Sequence, residues 1–158
     1  MDGADHLGEP VKIAPLTGAD AAEWLTLRLA LWPDTSRQEH RAEIDQILAE
    51  PGETFNIIAR DDGGAALGFV EASLRRDYVN GTDTSPVGFL EGIYVVPEAR
   101  GRGVARALVA ATEAWAREQG CTEFASDALL DNADSHAMHR ALGFEETERV
   151  VFFRKALK

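Results

Sequence analysis

Arg100-Gly101-Arg102-Gly103 joins a β-branched run ending in Val95-Val96-Pro97 to the helix-forming run Val104-Ala105-Arg106-Ala107-Leu108, and that junction has the build of an anion cradle. Glycine adopts backbone angles closed to other residues and lets a ligand approach the main chain. The first N–H groups of a helix have no acceptor within it and lie at the positive end of its dipole, where phosphates bind. Arg100, Arg102 and Arg106 add three cations to the same turn. A Rossmann fingerprint would place a third glycine where Arg106 stands, and a P-loop requires Gly-Lys-Ser or Gly-Lys-Thr, which the chain lacks. The expectation is a pyrophosphate held by backbone amides in some other context.

The rest of the chain is acidic, with a formal net charge of −11. Between Cys121 and Glu148 seven carboxylates (Glu123, Asp127, Asp131, Asp134, Glu145, Glu146, Glu148) stand against the single Arg140. A solvated acidic face explains such a stretch, and so does a surface that collects a cationic substrate. The balance argues against nucleic acid, whose affinity depends on neutralising phosphates. One cysteine and four scattered histidines exclude an internal disulfide and a thiolate cluster, so no metal is expected. Cys121 has no evident base beside it and reads as a small core residue.

These residues must be positioned by a modest set of elements. The 158 residues suit one domain, 1–158, with a loosely held start over 1–10. Val11 to Leu16 alternates as a strand. Thr17 with Asp20 resembles a capping box before a helix carrying Trp24, Leu27 and Leu31, and Ser36 with Glu39 repeats the signal before Ile44, Ile47 and Leu48. Thr54 to Arg60 and Ala66 to Arg75 flank Asp61-Asp62-Gly63-Gly64 as an antiparallel hairpin. Val87 to Val96 is a fourth strand, and a long helix with Val104, Leu108, Ala111 and Trp115 on one stripe ends at Gly120. Glu123 to Ala128, Asp134 to Leu142 and Thr147 to Lys155 follow as strand, helix and strand. The order β-α-α-β-β-β-α-β-α-β predicts an α/β (α+β) fold: a mixed, mostly antiparallel sheet of six to seven strands with helices on both faces. The strands flanking the long helix are expected to be parallel. Apolar runs far shorter than a bilayer span and a start without signal-peptide character predict a cytoplasmic protein without membrane contact.

That order, with Arg100-Gly101-Arg102-Gly103-Val104-Ala105, resembles the GCN5-related N-acetyltransferase (GNAT) superfamily, whose Arg-x-x-Gly-x-Ala signature falls on Arg100, Gly103 and Ala105. Asn132, Ser135, His139 and Leu142-Gly143-Phe144 keep the spacing of a second family element, with His139 where many members carry a tyrosine. The resemblance implies the GNAT fold and acetyl-CoA as co-substrate, held by Ile93, Tyr94, Val95, Arg100, Gly101, Arg102, Gly103, Val104, Ala105 and Asn132. Longer strings are similar to aminoglycoside 6′-N-acetyltransferases: Leu31-Trp32-Pro33, Arg76-Asp77-Tyr78-Val79-Asn80-Gly81, Phe89-Leu90-Glu91-Gly92-Ile93, Ala125-Ser126-Asp127 and Leu142-Gly143-Phe144-Glu145-Glu146-Thr147-Glu148-Arg149. By that resemblance Trp32, Tyr78, Glu91, Asp127 and Glu148 line the site of a cationic aminoglycoside, and the enzyme is a homodimer.

Acetyl transfer to an amine requires a neutral nitrogen, a place for the oxyanion and an exit for the thiolate. Glu91 is expected as the base end of a water chain and Asp127 as its catalytic partner or an ammonium anchor, since a bare carboxylate is poorly matched to an amine. The plain alternative for Glu91 is a strand carboxylate paired with a neighbouring arginine; for Trp32 it is core packing. The resulting expectation is acetyl transfer to an aminoglycoside, at the 6′ amine, giving antibiotic resistance. An acetyltransferase for another amine (a polyamine or a protein N-terminus) and a non-catalytic acetyl-CoA-binding protein remain as alternatives.

Overall fold

The computed structural model describes residues 10–158. Its elements are β1 (Lys12–Pro15), α1 (Ala21–Leu31), α2 (Arg37–Ala49), β2 (Thr54–Arg60), β3 (Ala66–Arg75), β4 (Val87–Val95), α3 (Val104–Glu118), β5 (Phe124–Ser126) and α4 (Ala133–Ala141). The strands lie in sequence order, antiparallel from β1 to β4 and parallel between β4 and β5. The crossover through α3 makes that last pair parallel, as the element order requires.

Alternation along the strands divides two cores. Ile57 on β2 and Val70 on β3 join Leu90, Val104 and Leu108 beneath α3, whereas Ile58 and Phe69 turn to the other face and meet Trp24, Leu27 and Ile44 of α1 and α2. Both sheet faces are therefore covered, which is why β2 and β3 read as nearly continuous apolar runs. Ser36 caps α2 through Oγ, which accepts from the Glu39 N–H at 3.1 Å. The Thr17 and Asp20 signal instead belongs to a 3-10 turn, Gly18–Asp20, one step before α1, with the Asp20 carboxylate accepting from the Thr17 N–H at 2.8 Å. On α3 the buried stripe runs through Val104, Leu108, Val109, Thr112 and Ala116. Ala111 and Trp115 sit on its margin, with Trp115 stacked on Phe55 at 5.0 Å.

Two expectations are corrected. Among the described residues the sheet has five strands, not six to seven, and β5 covers three residues where Glu123 to Ala128 was expected. Thr147 to Lys155 forms no strand: Phe152 is 85% exposed and Phe153 93% exposed. Its β-branched and aromatic residues have strand propensity, but propensity becomes a strand only through pairing, and the segment pairs with neither open edge of the sheet, at β1 or at β5.

One irregularity matters for function. Glu71 faces Gly92 across the β3–β4 ladder and Ala72 faces Leu90, so Glu91 is the extra residue of a bulge. Pairing with β5 ends at the same level, on the Leu90–Ser126 rung. The two parallel strands part there.

Candidate active site

The glycine turn between β4 and α3 forms at the expected residues. Pro97–Ala99 makes a 3-10 turn, Gly101 and Gly103 adopt φ of +78° and +81°, and α3 begins at Val104. The first helical bond runs from the Ala107 N–H to the Gly103 carbonyl, so the N–H groups of Val104, Ala105 and Arg106 have no acceptor in the helix. A Cβ on either glycine would meet nothing within 4 Å, which leaves the front of these amides open. Val104 anchors the turn in the α3 core. Open backbone, positive φ and orphan amides together fit the pyrophosphate of acetyl-CoA.

The arginines are less free than their charge suggests. Arg100 Nε donates to the Val95 carbonyl at 3.0 Å and its guanidinium lies 5.6 Å from the centre of the Tyr94 ring, so it rivets the turn to β4. Arg106 reaches the Ala141 carbonyl at 3.4 Å, tying α3 to the end of α4. Arg102 stands exposed in the middle of the turn.

Beyond the bulge β4 presents an open edge. The Val96 N–H donates to Leu67 at 2.9 Å, and ladder alternation then turns the N–H and C=O of Ile93 and the N–H of Val95 toward the side that β5 has left, the Val95 carbonyl being taken by Arg100. Amide-bearing chains pair with such an edge. Tyr94 does not reach that edge: its N–H and C=O face Phe69 on β3, and its side chain packs with the α1 and α2 core.

On the other side of the split lies a cleft of about 430 Å³ lined by Arg28, Trp32, Thr35, His40, Glu43, Glu71 and Glu91. Glu91 is not a lone carboxylate: Arg75 holds it with Nη2 at 2.8 and 2.9 Å, and Ser73 Oγ donates to it at 2.6 Å. That is the strand ion pair, which fixes the carboxylate in place at the bulge. Asp127 follows the Leu90–Ser126 rung as Glu91 does, so the two leave the last paired level on diverging strands. Tyr78 lies in the β3–β4 loop, 76% exposed. Glu148 is on the exposed tail, and its neighbour Thr147 packs against Gly81 of that loop, with Thr147 Cβ 3.0 Å from where a Gly81 Cβ would stand. None of Tyr78, Asp127 and Glu148 lines the cleft.

The residues after β5 have structural duties. Asn132 caps α4, its Oδ1 accepting from the Ser135 N–H at 3.1 Å. His139 Nδ1 lies 2.7 Å from the Ser135 carbonyl, which only accepts, so Nδ1 carries the proton and Nε2 takes the Ser126 hydroxyl at 2.8 Å. Glu123 binds the Asp83 and Thr84 amides and the Thr84 hydroxyl, which hold its carboxyl below the ordinary range, the hydroxyl foremost. Burial pushes the Cys121 thiol up, in keeping with a core role. Among the described residues no three His, Cys, Asp or Glu side chains are grouped to hold a metal, and no helix is long and apolar enough to cross a membrane.

The acetyltransferase (GNAT) family model matches residues 21–144. The chain belongs to the GNAT family. An aminoglycoside N(6′)-acetyltransferase type 1 of Stenotrophomonas maltophilia is 54% identical to this GNAT protein over 147 residues, 92% of this chain and 94% of the relative. The crystal structure of the aminoglycoside antibiotic 6′-N-acetyltransferase AAC(6′)-Ih from Acinetobacter baumannii is similar at a TM-score of 0.89 and 49% identity, covering 94% of this chain and 100% of that one. AAC(6′)-Iy in complex with the bisubstrate analog CoA-S-monomethyl-acetylneamine is similar at 0.86 and 46%, covering 94% and 99%.

Sequence reasoning missed part of this GNAT cleft. Arg28 and Glu71 are both buried, joined by Nε and Nη2 contacts of 2.6 and 2.8 Å, and the Trp24 indole donates to Glu71 at 2.9 Å. The signals were present: Arg28 falls four residues after Trp24 on the inner stripe of α1, and Glu71 interrupts an apolar strand covered on both faces. Charges at such positions must be paired.

Proposed function

We propose that this chain transfers the acetyl group of acetyl-CoA to an amino group, at the 6′ position, of aminoglycoside antibiotics, and so confers resistance. The observation that carries the reading is a single layout: the amide cradle at Gly101 to Ala105 and the open edge of Ile93 and Val95 lead to a carboxylate-lined, tryptophan-walled cleft at the strand split. The similarity to enzymes named for this reaction supports it.

Acetyl-CoA supplies a thioester whose acetyl carbon forms the new C–N bond as its C–S bond breaks, the nitrogen losing a proton and the thiolate gaining one. The amides of Val104, Ala105 and Arg106 hold the pyrophosphate, with Arg102 beside them, and the edge of β4 orients the pantetheine amides. Open N–H groups on β4 offer hydrogen bonds to the developing oxyanion. Glu91, fixed by Arg75 and Ser73, accepts the amine proton through water, and Asp127 holds a second ammonium. Trp32 stacks on a sugar ring, while Tyr78 and Glu148 close the site from the loop and tail. A leaving thiol with a pKa near 8.5 needs little acid help at neutral pH, so the absence of a tyrosine at His139 is tolerable. Acetylation removes one positive charge from the drug.

The same reading makes the enzyme a homodimer working in the cytoplasm, where acetyl-CoA is available. The exposed run Val150 to Phe153 and the unpaired outer edge of β5 support the dimer. Light scattering should give the mass of two chains. Turnover is tested by CoA release with kanamycin, spermidine and a peptide in parallel, and by NMR of the kanamycin product. The expected result is release with kanamycin alone and a new acetyl group on the 6′ nitrogen. Release only with spermidine or peptide would assign another amine, and no release with any of them a binding role.

A further inference from the structure

Trp32 reaches the cleft from a turn, and a turn by itself does not hold a large ring in one place. Its N–H donates to the Arg28 carbonyl at 2.8 Å as the last bond of α1. Its own carbonyl accepts from the Thr35 N–H at 3.2 Å and lies 3.0 Å from His40 Nε2. His40, on the first turns of α2, is 1% exposed, and its ring stacks on the Trp32 ring at 6.3 Å with 23° between the planes.

The tautomer of His40 is dictated by its neighbours. Arg28 Nη1 lies 3.1 Å from Nδ1, and a guanidinium has no lone pair to offer, so Nδ1 must accept. The proton of the neutral ring therefore sits on Nε2 and is donated to the Trp32 carbonyl. Arg28 is itself immobile, clamped by the buried Glu71 on β3 and by Glu43 at 2.5 Å. A chain of contacts thus runs from the sheet through Arg28 and His40 to the turn. On the other side of the ring there is no slack, because a Cβ on Gly92 would lie 2.5 Å from Trp32 Cζ2.

From this geometry we infer that His40 is a positioning residue for the aminoglycoside, acting through the Nε2–H bond that fixes the Trp32 turn against Gly92 beside Glu91. The inference rests on the reading of Trp32 as a wall of the substrate site. His40 touches no reacting atom and has no contact with the acetyl-CoA cradle, so its influence falls on one substrate only. Filling space beneath α2 would not produce that selectivity.

The experiment measures KM for kanamycin and for acetyl-CoA, with kcat, in the full-length enzyme carrying His40→Gln, His40→Asn, Gly92→Ala or Trp32→Ala. A glutamine amide nitrogen occupies the place of Nε2 and can donate to Trp32; an asparagine amide oxygen occupies the place of Nδ1 and keeps only the Arg28 bond. His40→Asn should raise KM for kanamycin about tenfold, the effect of losing roughly 1.4 kcal/mol, with KM for acetyl-CoA changed less than twofold. His40→Gln should restore most of the loss. Gly92→Ala, which presses on the Trp32 ring from β4 without altering His40, should reproduce the kanamycin effect even where His40→Asn does not fold. Equal losses in Gln and Asn, parallel shifts in both KM values, or an unchanged kanamycin KM in Gly92→Ala while Trp32→Ala raises it, would overturn the inference. An unchanged kanamycin KM in Trp32→Ala would instead remove the substrate role of Trp32.

Discussion

Glu91 shows how a single residue's role depends on its neighbours. The bulge turns it out of the ladder at the point where β4 and β5 separate, and Arg75 and Ser73 then fix the carboxylate on three sides. A carboxylate so held is oriented by its partners and can fix a water or an ammonium in a defined place. Gly103 is decided by a different requirement, a left-handed backbone at φ +81° with open space before it. In Gly103→Glu the backbone strain amounts to about 1 to 2 kcal/mol, which a domain of this size withstands, while the new carboxylate stands where a pyrophosphate must approach. Calorimetry should show acetyl-CoA binding weakened more than about tenfold with the circular dichroism spectrum unchanged; unchanged affinity would remove the cradle.

At the scale of elements, the site depends on how helices are fastened to the sheet. The start of α1 is tied to β2 by Arg60, whose guanidinium meets Asp20 at 2.7 Å and Glu23 at 2.8 Å. Burial pushes the Asp20 carboxyl up, but the Thr17 amide and Arg60 more than offset this and hold it below its ordinary value; the Arg60 hydrogen bond does the same for Glu23. Carboxyls lowered on folding contribute stability that is fully present above the unfolded pKa values and is lost as pH falls through the folded ones. Arg60→Gln should therefore lower the thermal midpoint by an amount equivalent to about 1 kcal/mol at pH 7. The difference from the parent should stay constant down to about pH 5, shrink below about pH 4 and vanish in stronger acid. A difference independent of pH across that window would mean that the tie acts by packing.

At the scale of the whole molecule, charge is distributed by function. The cradle gathers arginines on a chain with a net charge of −11, while Asp127 and Glu148 leave their carboxylates exposed beyond β5. Other acidic residues of that stretch are occupied: Glu123 in capping a loop and Glu146 in pairing with Arg149, which holds its carboxyl down. Converting Asp127→Asn together with Glu148→Gln should raise KM for kanamycin several-fold, from roughly 0.2 to 1 kcal/mol for each exposed pair, and flatten its dependence on salt. An unchanged KM and salt slope would place the attraction on another acidic surface. The tail bearing Glu148 matters here because its apolar side chains are left uncovered within one chain.

What the sequence determined alone is what local rules decide. The cradle was legible because glycine, proline and a helix start impose their geometry within a few residues, and the hairpin and the parallel β4–β5 pair followed from turn chemistry and element order. Trp32 and Glu91 were singled out through family resemblance, and both line the cleft, but resemblance carries position and not partners. Tertiary structure alone decided that Arg75 binds Glu91, that Arg28, Glu71 and His40 form one buried network, and that the last apolar run stays unpaired with the sheet of its own chain. Those outcomes join residues 12 to 43 positions apart or require a surface that the segment itself does not supply, and no periodicity along a chain encodes which distant group will arrive beside it.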